Sequence, residues 1–344
     1  MTNDFQKGKR NIGIDCLKLI GLLLIILAHT TENSIILQIR NFDVPLMVIL
    51  SGILSVNSFK KEENTWKYYK KRFLRLVIPT YIFIIIYFTL IKVLKVISGD
   101  LQYRTDFYAV IKSFLLSGGI GYIWIIRVYL LMAMITPTLI TCKEKMNNKL
   151  FYSGLLLIYI VYEIVYQYIG NANWFLEYVL YYIIPYGEIL AIGIFIGEKQ
   201  NNKKIKILGY LFGIIFIAIA ILQFVESGHF VYTNEFKYPP RIYYISYAMF
   251  AAINIISIIQ KLNFDKLNKK VQTIIIFISK HSLWIYLWHI IYVSIFIWCK
   301  LNVNWIVKYI FVVSMSIVTV GVQVWAINQI EKKKKIEFLK YLKY

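Results

Sequence analysis

The chain is poor in charge. Only 17% of its 344 residues are Asp, Glu, Lys or Arg, 59% are hydrophobic, and the mean hydropathy is +0.60. This composition excludes an ordinary soluble domain. Three cysteines, Cys16, Cys142 and Cys299, lack any CxxC spacing, which excludes a disulfide framework and a cysteine metal site, and no other metal site is predicted. No Gly/Ser/Pro-rich linker divides the chain, so one integral membrane domain is predicted over residues 1–344.

Apolar runs near the ~20-residue length that crosses a bilayer recur along the whole chain. They predict an all-α, polytopic helical bundle of about ten transmembrane helices, between about residues 11 and 328. The predicted spans are 11–31, 42–57, 76–96, 119–141, 149–169, 175–197, 205–225, 241–260, 282–298 and 303–328. Residues 271–281 are either an extension of the ninth span or a helix lying at the membrane interface.

Acidic residues are scarce, 18 against 39 Lys and Arg, and the net charge is +21. The basic residues gather on alternate links, and 28 of the 39 lie on one side if both termini are cytoplasmic. The positive-inside rule therefore predicts cytoplasmic tails at 1–10 and 329–344. This placement explains the charge without a nucleic-acid partner, and KKKK at 332–335 is predicted to anchor to lipid headgroups.

The first apolar run, DCLKLIGLLLIILAHT at 15–30, contains an acid, a base and a histidine. At about 100° per residue, Asp15, Lys18 and His29 fall on one helix face, with Lys18 and His29 about 16 Å apart along the axis. One interpretation pairs Asp15 with Lys18 and sends His29 to the outer headgroups. The other makes the face functional, because ionisable side chains inside a membrane are costly.

A second basic group, in KRFLRLVIPTY at 71–81, lies where an inner link enters the third span. Lys71 and Arg75 share a helix face, and Arg72 lies beside them. Such a cluster could hold lipid phosphates, or the several phosphates of a nucleotide-type ligand, because Arg offers forked donors to phosphate oxygens.

Further polar side chains interrupt other apolar runs. Each could be a contact between helices, but so many on different helices predict a polar interior. They are Asp43, Arg127, Glu163, Glu188 and His289.

Several of these motifs, in this order, resemble those of the membrane-bound acyltransferase family 3. The first helix of that family has an acid, then Arg, then ten residues and His, as in Asp15, Lys18 and His29 with Lys replacing Arg. Its second helix ends in Ser-Gly, matched by PLMVILSG at 45–52. Its basic-x3-basic motif is matched by Lys71 and Arg75, again with Lys first.

Later segments extend the resemblance. YIWIIRVYLLMAMITP, with Trp124, resembles the fourth helix of the family, and KYPPRIYYISYAM at 237–249 resembles a segment of its exopolysaccharide-modifying branch. HSLWIYLWH resembles a Ser-x3-Tyr-x2-His signature through Ser282, Tyr286 and His289. The resemblance implies a multi-pass protein of the bacterial cytoplasmic membrane, with no permanently bound cofactor, that O-acylates an extracytoplasmic glycan or lipid-linked saccharide.

The resemblance also implies an acyl-coenzyme A donor, most often acetyl, supplied from the cytoplasm. We expect Lys71, Arg72 and Arg75 to hold its phosphates, and Lys18 to guide its pantetheine arm towards His29, the predicted general base. Asp15 is expected to orient Lys18. The remaining polar residues are predicted to support the site or line the acceptor path: Asp43, Trp124, Arg127, Glu188, Ser282, Tyr286 and His289.

Two other classes of function fit a ten-span bundle with charges in the membrane. One is a transporter or flippase for a lipid-linked sugar or small metabolite. The other is a glycan polymerase or membrane glycosyltransferase. Chemistry separates them, because only an acyltransferase moves a labelled acyl group from acyl-coenzyme A to a glycan.

Overall fold

The computed structural model describes residues 10–62, 64–98, 107–170, 173–198, 202–334 and 336–343. The predicted tail 1–10, apart from Arg10, lies outside them, as does Lys335 of the predicted anchor. The described residues form fourteen α-helices and no strand: α1 Ile12–Ala28, α2 Ser34–Ile39, α3 Asp43–Lys60, α4 Thr65–Ser98, α5 Phe107–Phe114, α6 Trp124–Lys145, α7 Asn148–Ile169, α8 Tyr181–Glu198, α9 Asn202–Ser227, α10 Ile242–Ile259, α11 Lys269–Lys280, α12 Ser282–Trp298, α13 Trp305–Lys333 and α14 Leu339–Lys343. The prediction of an all-α membrane bundle is confirmed.

Asparagine begins many of these helices. The side chain of Asn11 accepts a hydrogen bond from Ile14 N at 3.2 Å and so caps α1. Asparagines occupy the same place before four other helices, where the side-chain oxygen satisfies a backbone N–H that has no partner inside the helix. These caps are Asn33, Asn147, Asn268 and Asn304.

The predicted spans correspond to helices of the described chain. Eight spans are long and apolar enough to cross a membrane: α3 together with α2, and α4, α6, α7, α8, α9, α10 and α13. The pair α11 and α12 passes the same test but is bent by 76°. The seventeen residues of α1 coincide with the first predicted span. Residues 269–280 therefore form a helix of their own at a steep angle to the ninth span, and the bend fits both a broken span and a re-entrant segment.

The helices divide into a packed centre and a periphery. Helices α3 and α8 approach closely at Gly52, where a Cβ atom would lie 2.4 Å from the carbonyl oxygen of Leu190. Gly193 faces the backbone of Ile49 in the same way, so small residues let the two backbones touch. Helices α7, α9 and α13 leave most of their surface exposed, as lipid-facing helices do. The buried centre, formed largely by α1, α3, α6, α8, α10 and α12, carries the polar side chains described next.

Candidate active site

A cavity of about 660 Å³ opens at one end of this centre. It runs between α1, α3, α4 and α6, and the junction of α11 and α12 closes one side. From α1 it is lined by Asp15, Lys18, Leu22 and Ile25. Asp15 and Lys18 of the predicted polar face therefore share one cavity wall, whereas His29, its third member, lies outside the lining.

The mouth of the cavity is strongly basic. Six cationic side chains and one carboxylate, that of Asp15, line it; the cations are Arg10, Lys18, Lys61, Arg72, Arg75 and Lys280. Lys18 and Arg75 form no ion pair within the described residues. The mouth thus has an excess of positive charge and fixed donors with room beside them, which suits a ligand with several phosphates.

Asp15 has partners other than the predicted one. Its carboxylate accepts hydrogen bonds from Arg10 Nε at 2.6 Å and from Ser279 Oγ at 2.6 Å. No ion pair joins it to Lys18 within the described chain. The predicted pairing of Asp15 with Lys18 is therefore wrong: the acid joins the start of α1 to the end of α11 and leaves Lys18 available to the cavity.

Two of the three predicted basic residues near the start of α4 reach the cavity, and one does not. Arg72 and Arg75 line the cavity, and Arg72 Nη2 donates to Ser58 Oγ at 2.6 Å. Lys71 lies outside the cavity lining, has a side chain that is 68% exposed, and forms an ion pair with Glu62. The structure therefore keeps two of the three predicted phosphate ligands at the cavity and places the third on the surface.

The two residues of the Ser-Gly motif that ends the second predicted span point to different sides of α3. Ser51 faces the cavity, and its hydroxyl donates to the carbonyl of Met47 at 3.0 Å. Its neighbour Gly52 faces α8 and permits the close approach of that helix. The Ser-Gly pair thus serves the cavity wall on one side and helix packing on the other.

Beyond the deep end of the cavity, two imidazoles stack. The rings of His29 and His289 have centroids 5.4 Å apart at an angle of 23°, and Tyr122 lies edge-on to His29 at 4.6 Å. His29 is the C-terminal cap of α1, four residues beyond the cavity-lining Ile25. The structure therefore brings together two histidines that are 260 residues apart in the sequence.

The proton positions on His289 follow from its surroundings. Its Nδ1 bonds to the backbone carbonyl of Tyr286, and a carbonyl only accepts, so Nδ1 carries the hydrogen. In the neutral ring Nε2 then holds the lone pair. This atom is buried and has no hydrogen-bond partner within the described residues. A buried nitrogen with a free lone pair can accept a proton or a hydrogen bond from a reacting group.

Tyr286 connects the cavity with the imidazole pair. Its side chain lines the cavity, its hydroxyl donates to the carbonyl of Tyr122, and its own carbonyl holds His289. Ser282, one turn earlier on α12, also lines the cavity. The three residues of the Ser-x3-Tyr-x2-His signature thus lie along a line from the cavity wall to the histidines.

The remaining predicted residues lie elsewhere. Asp43 belongs to a buried cluster with Arg40 and Lys237, next to which Trp124 lies. Arg127 donates to the carbonyl of Leu116 at 2.7 Å and lies over two tyrosine rings, and its buried Nε has no hydrogen-bond partner within the described residues.

Glu188 is half-buried on α8, outside the cavity lining, and forms no ion pair in the described chain. Glu163 caps α10 through Ile242 N and pairs with Arg241 at 2.5 Å. Neither glutamate contacts the cavity or the histidines.

Several residues that the structure brings to the site were not predicted from the sequence. Arg10, Lys61 and Ser279 border the cavity, and Tyr122 contacts His29. Lys237 is the first residue of the segment KYPPRIYYISYAM, but on an outer link it resembled an ordinary surface lysine. Its burial could not be inferred from hydropathy.

Comparison with known proteins assigns a family. The sequence model described as an acyltransferase domain, that of acyltransferase family 3, matches residues 11–323. Searches of curated proteins and of solved structures each gave no match. The matched range includes the cavity, both stacked histidines and the whole of the Ser-x3-Tyr-x2-His signature.

Proposed function

The chain belongs to acyltransferase family 3, and from this premise we propose that it transfers an acyl group from cytoplasmic acyl-coenzyme A to a hydroxyl of an extracytoplasmic glycan or lipid-linked saccharide. The observation that carries the proposal is the cavity, basic at its mouth and ending one helical turn from His29 and His289. Acetyl is the proposed acyl group, and the proposed location is the bacterial cytoplasmic membrane.

The donor would enter through the basic mouth. Its phosphates would lie among Arg10, Arg72 and Arg75, and Lys18 would lie beside the pantetheine arm. Along α1 the distance from Lys18 to His29 is about 16 Å, and the wall between them changes to Leu22 and Ile25. Acyl-coenzyme A has a charged nucleotide head and a long, mostly neutral pantetheine arm, which matches this change from a basic to an apolar wall.

The reaction is an acyl transfer in which His29 acts as general base. The hydroxyl oxygen of the acceptor attacks the thioester carbonyl carbon, and the hydroxyl proton passes to His29. The new C–O bond forms, the C–S bond breaks, and the proton then passes to the coenzyme A sulfur. The products are an ester and free coenzyme A.

His289 and Tyr286 would support this step. The Tyr286 carbonyl fixes the tautomer of His289 and so leaves a lone pair on its buried Nε2. The hydroxyl of Tyr286 is held by Tyr122, which packs on His29. Positioning of this kind keeps the reacting groups in one geometry while donor and acceptor arrive from opposite sides.

The family favours transfer over transport, and a chemical experiment separates the two. Surface glycans from cells with the wild-type chain, without it, and with His29→Ala are compared by mass spectrometry before and after mild alkali. We expect an alkali-labile acyl ester in the first sample alone, and its mass identifies the acyl group. His229→Ala, at an exposed histidine, is the matched control and retains the ester. An unmodified glycan in wild-type cells would contradict the proposal.

A further inference from the structure

A second charged centre lies at the opposite end of α1 from the basic mouth. Arg40, Asp43 and Lys237 form it, and they are 5%, 1% and 2% exposed. Arg40 Nη1 donates to Asp43 Oδ2 at 2.6 Å, and Lys237 Nζ lies 3.5 Å from Asp43 Oδ1. Two cations share one carboxylate, so this part of the described chain buries one positive charge in excess. A buried charge without a counter-ion is costly, so this excess charge calls for an anion.

Two buried side-chain N–H donors beside this cluster have no acceptor within the described residues. They are Nε of Arg40 and Nε2 of Gln38. Gln38 cannot be turned over to satisfy its amide, because its Oε1 already accepts from the N and Oγ1 of Thr233 at 2.9 and 3.0 Å. The excess charge and both free donors therefore call for the same missing partner, an acceptor with negative charge.

Aromatic rings connect this cluster with the surface. Lys237 Nζ lies about 6 Å from the ring centres of Trp124, Tyr238 and Tyr244. Tyr238 and Trp124 pack edge to face at 5.1 Å, and Tyr238 is 52% exposed. A ligand that reaches this pair from outside meets flat apolar rings first and the buried charges next.

We propose that Gln38, Arg40 and Lys237 form a binding site for an anionic group of the acceptor, either the carboxylate of an acidic sugar or the diphosphate of a lipid-linked saccharide. This inference rests on the proposed function, because it assigns the anion to the acceptor. The donor phosphates have their own cations at the other end of α1, on the far side of the histidines. Arg40 follows His29 by eleven residues, past the end of α1 and directly after α2, so an acceptor held there is bound apart from the donor mouth.

Binding of small probes tests the site without any acyl transfer. The full chain in lipid nanodiscs is titrated with methyl β-glucuronide, methyl β-glucoside and inorganic diphosphate. We expect the glucuronide or the diphosphate to bind about tenfold more tightly than the neutral glucoside, as a charge-assisted contact predicts. The glucuronide result identifies a sugar carboxylate. Diphosphate also suits the basic donor mouth, so it identifies a lipid carrier only where Arg40→Lys weakens its binding.

Two variants locate the bound anion. Arg40→Lys keeps the charge and the pairing with Asp43 but loses Nε, so it should fold and bind the anion about fivefold to tenfold more weakly. Arg75→Gln alters only the donor cavity and should bind the glucuronide as the wild type does. If neither anion binds more tightly than the glucoside, or if Arg75→Gln alone loses binding, the inference is wrong.

Because the titrations contain no acyl donor, they are independent of the proposed reaction. Anion binding that depends on Arg40, in a chain that fails to acylate any glycan, would overturn the proposed function and leave the site standing. Acylation by a chain that shows no such binding would overturn the anion site and leave the proposed function standing. A lower kcat in Arg40→Lys with unchanged affinity for every probe would also contradict an acceptor site.

Discussion

The two ends of α1 both gather positive charge, but in different ways. At its start the cations of Arg10, Lys18 and Arg75 surround an open cavity of about 660 Å³. Past its end, Arg40 and Lys237 are buried against Asp43 and a network of hydrogen bonds. An open basic mouth suits a large, highly charged ligand that arrives and leaves, whereas a buried cluster suits one small anionic group held in a fixed place.

Between the two charged centres lie His29 and His289, which stack on each other outside the lining of the basic cavity. This separation suits a transfer between two substrates from opposite sides, because each is recognised by its own charges. It also lets each end be altered without the other, and the predictions below use that independence.

Substitution of His29, between the two charged centres, should have the largest effect on acyl transfer. His29→Ala should lower kcat for acyl transfer about 10²- to 10⁴-fold, the usual contribution of a general base, with little change in donor KM. The measurement is coenzyme A release by the purified chain with saturating donor and acceptor. His229→Ala controls for the loss of an imidazole elsewhere, and a His29→Ala enzyme with wild-type kcat would contradict the assignment.

The donor end comes next. Arg75→Gln should raise the KM for acyl-coenzyme A about tenfold to a hundredfold, since a charged hydrogen bond to phosphate is lost. Lys71→Gln should change it less than about twofold, because its exposed ammonium already pairs with Glu62. An acyl-pantetheine donor, which lacks the nucleotide phosphates, sharpens the comparison: its KM should be the same in wild type and Arg75→Gln.

The contrast between Lys71 and Arg75 also shows how far the sequence predicts this molecule. Helical periodicity correctly places Asp15, Lys18, Leu22 and Ile25 on one face, because that geometry belongs to a single helix. Periodicity also puts Lys71 and Arg75 on one face, but it does not show which of them reaches the cavity. Arg75 lines the cavity, whereas Lys71 pairs with Glu62 in the link after α3.

Contacts between distant segments could not be predicted from the pattern. The carboxylate of Asp15 is taken by Ser279, which lies 264 residues away, and not by Lys18 on its own helix. His29 and His289 both appeared among the candidates, but their stacking depends on how α1 and α12 cross. The burial of Lys237 depends on the segment before α10, which bonds to Gln38 and Asn41 nearly two hundred residues earlier. Composition and hydropathy determine the bundle, whereas these side-chain partnerships depend on tertiary packing.

Loss of a residue that supports the imidazole pair should lower kcat less than loss of the general base His29. Tyr286→Phe removes the hydroxyl bond to Tyr122 but keeps the backbone carbonyl that holds His289. We expect kcat to fall about threefold to tenfold, whereas His289→Ala removes the Nε2 lone pair and should cost more. A pH profile of kcat for each variant provides the check. If Tyr286→Phe costs as much as His29→Ala, the phenol takes part in the chemistry directly.

An effect as small as that of Tyr286→Phe is expected at the acceptor end, as a dependence on pH. Burial lowers the pKa of Lys237 to about 8; Arg40 contributes to the lowering, and Asp43 opposes it. Lys237 is therefore charged at pH 7 and mostly neutral at pH 9, and the excess charge of the cluster disappears between these values. The affinity for the anionic probe should fall about threefold to tenfold over that range, with the neutral glucoside unaffected.

Lys237→Arg separates this proton from all others in the protein. Its guanidinium stays charged throughout the range, so the affinity for the anion should no longer change between pH 7 and pH 9. The groups that face Lys237, namely Arg40, Asp43, Tyr238 and Tyr244, are kept in that variant. If the affinity of Lys237→Arg still falls with pH, another group is titrating, and the contrast between an open donor end and a proton-sensitive acceptor end is lost. If the wild-type affinity does not change, Lys237 does not contribute its charge to the anion, and Arg40 and Gln38 alone would have to hold it.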